Sequence, residues 1–362
     1  MEKFLGNNVY IIAEAGVNHN GSLQTAKELV RVAKDAGADA VKFQTFRAES
    51  LVTADVEKAR YQKAAMPSDP PAQLAMLKQL ELPPEAFIEL SDYAKSLSID
   101  FLSTPFDEVS LSFLTEKTDM PYLKIPSGEI TNAPFLLACA RTKMPILLST
   151  GMSFMGEVEM ALAVLAYGYT AEGEPASLED FCRAYASAEG QRVLSEKLCL
   201  LHCTTEYPAP VDEVNLSAMD RLRAAFSLSV GYSDHTEGIA VPIAAAARGA
   251  VVIEKHFTLS RHQDGPDHRA SLEPLELSAM VEGVRRAHRA ISSMVKAPTP
   301  SEWDNRRIAR KSLVAAHDIE KGDVLTGDCI TAKRAGAGRS PFSYWELLGT
   351  HAATAYRKDE PL

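Results

Sequence analysis

An excess of basic charge is the first thing this sequence lacks. Its 362 residues carry 38 lysines and arginines against 48 aspartates and glutamates, a formal charge of −10. A general nucleic-acid binder needs a basic face, so that class is set aside. Long apolar runs are also missing, and no segment reads as a bilayer span. The N-terminal stretch Met1–Asn8 lacks a basic region followed by an apolar one, which argues against secretion. Cysteine is sparse. Cys139, Cys182, Cys199, Cys203 and Cys329 form an odd set without paired metal-ligand spacing, mostly in apolar patterns. They read as reduced thiols of a cytoplasmic protein. No Walker-type loop occurs, and Gly16-Val17-Asn18-His19-Asn20-Gly21 has the wrong spacing for a dinucleotide turn. With no favourable overall field, any anionic ligand must be held by locally placed lysines and arginines.

What is present is a repeat of one grammar from residue 9 to about 295. A short apolar, β-branched run ends in polar residues and a helical pattern follows. The runs are Val9–Ala15, Ala40–Thr45, Ile99–Pro105, Tyr122–Pro126, Pro145–Thr150, Leu198–Thr204, Ser227–Ser233 and Val251–Phe257. Eight buried-type strands alternating with helices predict a parallel sheet, and eight units over this length predict a closed (β/α)₈ TIM barrel over 1–295. Two stretches break the pattern. The loop Arg47–Glu81, with Pro67, Pro70 and Pro71, is expected to touch substrate; Thr170–Glu196 is expected at the periphery. A polar, Pro-rich joint over 296–305 reads as a linker. The remainder, 306–362, shows short strands such as Ser312–Ala315 and Ile330–Ala332. It has too few residues for a strong core of its own, so it is expected to lean on the barrel or on a second subunit.

In such a barrel the C-terminal strand ends converge on one mouth, and here those ends are polar. They carry Glu14; Lys42 and Gln44; Ser103 and Thr104; Lys124, Ser127 and Glu129; Ser149; Thr204 and Thr205; Ser233 and His235; and Glu254 and His256. Alternation puts Lys42 with Gln44, Ser233 with His235, and Glu254 with His256 on the mouth side, and turns Lys255 toward the helices. Two imidazoles on neighbouring strands, with carboxylates nearby, suit a borderline divalent ion such as Mn²⁺, Zn²⁺ or Co²⁺. Lys42 and Lys124, helped by the hydroxyls of Ser127, Ser149 and Ser233, suit a small multiply charged anion. Metal, anion clamp and spare carboxylates (Glu14, Glu129, Asp267) together suggest a phosphorylated, carbanion-like donor meeting a carbonyl.

Several blocks resemble the sialic acid synthase family. They are Ile11–Gly21, Val41-Lys42-Phe43-Gln44-Thr45-Phe46, Phe101–Asp107, Lys124-Ile125-Pro126-Ser127-Gly128-Glu129, Leu148–Met152, Gly231–Thr236 and Ile253–Thr258. Gly265-Pro266-Asp267-His268 completes the barrel signature. The tail, with Ala309–Leu313 and Lys333-Arg334, resembles the family's antifreeze-like (SAF) domain. The resemblance implies condensation of phosphoenolpyruvate with N-acetylmannosamine to give N-acetylneuraminate. A related synthase making N,N'-diacetyllegionaminate is the alternative, and a non-catalytic polysaccharide-associated homologue a remote one. It further implies Mn²⁺ on His235 and His256, with Mg²⁺ or Co²⁺ possible. Phosphoenolpyruvate would lie on Lys42, Lys124, Ser127, Ser149 and Ser233. Glu14, Gln44, Tyr207 and Asp267 would line the reaction centre, with Glu129 or another carboxylate facing the developing positive charge. The family is a homodimer in which one chain's small domain caps the other's barrel, so Arg334 would reach the N-acyl group across the dimer. Thr205 stands where some members carry Asn beside the phosphate, and its hydroxyl can still donate there.

Overall fold

Eight apolar runs become eight parallel strands in the computed structural model, which describes residues 8–53, 56–58, 73–291 and 294–362. They are β1 (Tyr10–Gly16), β2 (Ala40–Thr45), β3 (Asp100–Pro105), β4 (Leu123–Ile125), β5 (Ile146–Ser149), β6 (Leu198–His202), β7 (Ser229–Asp234) and β8 (Val252–His256). The hydrogen-bonded order is β3-β2-β1-β8-β7-β6-β5-β4, with β3 and β4 side by side at the last seam. The sheet is thus wrapped into a TIM barrel. Its strands are covered on both faces, which is why they read as near-continuous apolar runs; every residue of β1 is buried.

A principal helix follows each strand: α1 (Leu23–Asp35), α2 (Pro84–Ser96), α3 (Glu108–Lys117), α4 (Ala133–Arg141), α5 (Met155–Thr170), α6 (Ala218–Phe226), α7 (Ala240–Ala247) and α8 (Pro274–Ala290). Three begin on side-chain caps that accept an orphan N–H: Ser22 from Thr25, Asp107 from Ser110 and Asn132 from Phe135. Such caps stop the loop coming off a strand and fix where the helix begins. The insertion after α5 forms helices Leu178–Ala186 and Ala188–Lys197, both packed on α5, with Phe181 edge-on to Tyr167. It lies at the periphery, as expected.

The loop after β2 contributes short helices Ala48–Leu51 and Gln73–Leu80. Val17, Phe46, Ala48, Met76, Leu77 and Leu80 form a small apolar cluster apart from the barrel core. Pro67, Pro70 and Pro71 of that loop fall outside the described residues.

The chain divides into two units, Met1–Ser292 and Ser293–Leu362. The joint 296–305 is not all linker, because helix Glu302–Ala309 starts inside it. Glu302 accepts from the Thr299 backbone and hydroxyl ahead of the helix, and Arg306 and Arg307 sit in its last turn. Both arrangements favour the helix dipole. In the second unit, β9 (Ser312–Ala315) pairs antiparallel with β10 (Ile330–Lys333). Leu313, Ala315, Ile319, Leu325, Ile330 and Leu347 make its core.

Candidate active site

Side chains from at least six strand ends line one cavity of about 290 Å³ at the barrel mouth. Its floor is charged. Glu14 from β1 meets Lys42 from β2 at 2.7 Å. Glu254 from β8 lies 3.6 Å from Lys42 and 3.2 Å from Lys124 of β4. Ser233 Oγ donates to Glu254 (2.7 Å), Lys42 to Thr104 Oγ1 (3.0 Å), and Gln44 Nε2 to Glu14 (3.3 Å). All four charged groups are nearly inaccessible to solvent. Burial alone would neutralise them, and only mutual pairing keeps the charges in place.

The two carboxylates respond differently. Burial raises Glu14 to about 7, and Lys42 offsets this only in part. Burial also pushes Glu254 upward, but Lys124 and Lys42 outweigh it and hold its carboxylate below the ordinary range. Glu254 is therefore the fixed counter-charge between the two lysines, and Glu14 can exchange a proton near neutrality. Alternation put Glu254 on this face, but its place between both lysines comes from barrel closure.

Beside the floor, the missing side chain of Gly151 lets Thr205, Ser127 and Cys203 close in on its backbone. A methyl there would come within 2.4 Å of Thr205 Oγ1, 2.8 Å of Ser127 Oγ and 3.0 Å of Cys203 Sγ. Thr205 Oγ1 is buried without a hydrogen-bond partner among the described residues. Gly151 N donates to Ser127 Oγ at 3.0 Å. Ser149, Ser127, Thr205 and Lys124 thus surround one end of the cavity with donors, a suitable setting for a phosphate.

The imidazoles of His235 and His256 lie 5.4 Å apart by ring centres, with Tyr207 over His235 at 4.2 Å. His235 Nδ1 donates to the Thr204 carbonyl at 2.6 Å, which leaves Nε2 as the lone-pair nitrogen. Burial lowers His235 to about 4 and puts His256 well below its ordinary value, the latter aided by His235. Both are therefore neutral at physiological pH, as metal ligation requires. His256 Nδ1 has no hydrogen-bond partner among the described residues; Asp267 Oδ2 is 3.7 Å away. No cluster of three or more ligating side chains occurs among the described residues. The pair fits a divalent ion that completes its shell with water or substrate. Burial raises Asp267 to about 6.

The remaining expected residues fall in different places. Lys255 faces the helices and pairs with Asp234. Glu129 sits on the turn Ser127–Glu129, half-buried, accepting from Asn132 Nδ2 at 2.7 Å; it does not line the cavity. Asp267 is not a lining residue either, but its carboxylate lies near Gly16, as do Glu14 and Gln44. Arg334 is exposed on the second unit. The lining also includes the apolar side chains of Phe46, Leu51, Leu77, Phe106 and Met152, with Gln73 among them.

The NeuB family profile matches residues 29–296, about three quarters of the chain. The N,N'-diacetyllegionaminic acid synthase of Campylobacter jejuni is 47% identical over 97% of both chains. This chain belongs to the NeuB family. The SAF domain profile matches residues 310–362, so the second unit of this NeuB-family chain is a SAF domain. The N,N'-diacetyllegionaminic acid synthase of Legionella pneumophila is 46% identical, over 94% of this chain and 89% of its own. Among solved structures, an N-acetylneuraminic acid synthetase from Leptospira borgpetersenii superposes with a TM-score of 0.67 at 31% identity, covering 83% of this chain and 91% of that one.

Proposed function

We propose that this protein condenses phosphoenolpyruvate with an N-acylated amino sugar, and that the sugar is 2,4-diacetamido-2,4,6-trideoxymannose, giving N,N'-diacetyllegionaminate. One observation carries the chemistry: two buried lysines and two neutral imidazoles open into the same cavity of a NeuB-family barrel. The acceptor rests on near-full-length identity of 47% and 46% to two N,N'-diacetyllegionaminic acid synthases. The apolar lining side chains suit a carbon-6 methyl and a second acetyl group. This reading displaces the N-acetylneuraminate expected from the motifs, for which the support is 31% identity to a sialic acid synthetase.

Lys42 and Lys124 bind the carboxylate and phosphate of phosphoenolpyruvate, while Ser127, Ser149 and Thr205 supply hydroxyl donors at the phosphate end. A divalent cation on His235 and His256, Mn²⁺ in our reading, would supply Lewis acidity toward the sugar aldehyde. Carbon 3 of phosphoenolpyruvate bonds to the aldehyde carbon, and the aldehyde oxygen takes a proton to become a hydroxyl. We assign that proton to Asp267, whose carboxylate lies 3.7 Å from His256 Nδ1. Glu14, beside Lys42, takes one from the water that adds to carbon 2. The carbon 2–oxygen bond to phosphate then breaks, leaving a ketone and inorganic phosphate. Glu254 stays charged throughout, and its negative charge opposes the positive charge that develops at carbon 2; it takes the role expected of Glu129. We infer also that the enzyme is a cytoplasmic homodimer whose SAF domain caps the partner's barrel and brings Arg334 to the acyl group.

Phosphate release measured with phosphoenolpyruvate and each acceptor tests this reading. Turnover of the diacetamido sugar with little release from N-acetylmannosamine supports it. Preference for N-acetylmannosamine returns the assignment to N-acetylneuraminate, and release from neither sugar refutes both.

A further inference from the structure

Directly behind the two imidazoles, on the outer face of the same two strands, lies a buried ion pair that the chemistry above does not use. Asp234 and Lys255 are ladder partners on β7 and β8. Lys255 Nζ meets Asp234 Oδ2 at 2.5 Å and also donates to the Thr236 carbonyl. Asp234 Oδ1 in turn accepts from Thr236 N (3.1 Å) and Thr236 Oγ1 (2.9 Å). Asp234, Lys255 and Thr236 are all 0% exposed. One step back along the ladder, Ser233 and Glu254 are the corresponding pair on the inner face, joined at 2.7 Å. Asp234 is followed in the chain by His235, and Lys255 by His256.

We propose that the Asp234–Lys255 pair is a positioning strut for His235 and His256, fixing the ends of β7 and β8 so that both imidazoles meet one divalent cation. The proposal rests on the two-histidine metal reading given above. The reason is energetic and geometric. A buried ion pair gives little or no net stability over well-packed apolar residues of similar volume, because desolvation consumes the attraction. What it adds is direction. Lys255 reaches both Asp234 and the carbonyl two residues on, so the bonds bracket His235 on its own strand and tie it to the residue preceding His256. The His235 ring is then set by Thr204. Hydrogen-bonded groups behind a metal's ligands orient them, and their loss typically weakens metal binding by about 10- to 100-fold.

The test compares the full-length, metal-free wild type with Lys255→Met and with Asp234→Asn/Lys255→Met. Mn²⁺ affinity is read from the free-ion electron paramagnetic resonance signal, geometry from the Co²⁺ absorption spectrum, and stability from urea unfolding. The single variant strands a buried carboxylate and should be less stable. The double variant removes both charges and should recover most of the lost stability. In both, the Mn²⁺ dissociation constant should rise about 10- to 100-fold and the Co²⁺ spectrum should change, while phosphoenolpyruvate affinity stays within a fewfold of wild type. A stable double variant with wild-type Mn²⁺ affinity and Co²⁺ spectrum overturns the strut and leaves the metal reading standing. A wild type that binds no Mn²⁺, or a His235→Ala variant that binds it undiminished, removes the metal reading and the strut with it.

Discussion

Replacing Lys124 with methionine keeps most of the side-chain volume and deletes one of the two cations on the cavity floor. Lys124 Nζ lies 3.2 Å from Glu254 Oε1. At an effective dielectric near 20 that attraction is about 5 kcal/mol before desolvation is charged against it. Glu254 would not be stranded, because Lys42 remains 3.6 Å away and Ser233 still donates at 2.7 Å. The loss of stability should therefore fall below the ~3–5 kcal/mol typical of an orphaned buried charge. Binding suffers more directly. The four charged groups sum to zero when all are ionised, and the variant leaves a net negative floor facing a multiply charged anion. Loss of one charge-assisted hydrogen bond, about 1.5–3 kcal/mol, converts to roughly 10- to 150-fold in affinity. Calorimetric titration with phosphoenolpyruvate, alongside urea unfolding, measures both quantities. Adding Glu254→Gln should return stability without returning affinity. A folded Lys124→Met protein that binds phosphoenolpyruvate within threefold of wild type would refute the clamp, and so would an equal loss in Lys255→Met.

Three further expectations can be checked separately. His235→Ala and His256→Ala should each abolish Mn²⁺ binding and turnover with the circular dichroism unchanged, and chelation of the wild type should be reversed by Mn²⁺; full activity in either variant removes the metal. Burial lowers both His19 and His268 from 6.5 to about 4. The unfolded chain then holds more protons between those values, so this stability is complete above pH 6.5 and is lost as pH falls toward 4, at most about 3 kcal/mol per histidine. His268→Gln should flatten that part of the unfolding profile, and an identical slope would contradict the assignment. Mixing Lys42→Met with Arg334→Ala chains should restore activity through dimers that pair an intact barrel with an intact cap. No recovery, with mixed dimers demonstrated, means that the cap acts within one chain or not at all.

Much of the fold was legible because barrel strands have a strong signature. Ala40–Thr45 was expected and found without change, and Ile99–Pro105 was expected where Asp100–Pro105 forms. Alternation also ordered the mouth correctly: Lys42, Gln44, Ser233, His235, Glu254 and His256 all line it, and Lys255 does not. The signal faded where the chain leaves the strand. Glu129 follows Lys124 by five residues, but past Pro126 the turn Ser127–Glu129 changes direction and a period of two no longer applies. Asp267 lies on a loop after β8 that no periodicity describes, so the sequence offered it as a spare carboxylate without a face to put it on. The hub role of Glu254 was hidden for another reason. Its partners come from β2, β4 and β7, and such distances are fixed by barrel closure.

If this cavity joins phosphoenolpyruvate to a diacylated deoxy sugar, a competition between two acceptors will reveal it. Equal amounts of 2,4-diacetamido-2,4,6-trideoxymannose and N-acetylmannosamine are offered to the Mn²⁺-loaded enzyme with limiting phosphoenolpyruvate, and the products are separated by mass. N,N'-diacetyllegionaminate should form in excess of at least about tenfold, the discrimination expected when a hydroxyl would be forced against apolar side chains. A mixture dominated by N-acetylneuraminate would contradict the acceptor, and phosphoenolpyruvate left unconsumed would contradict the chemistry itself.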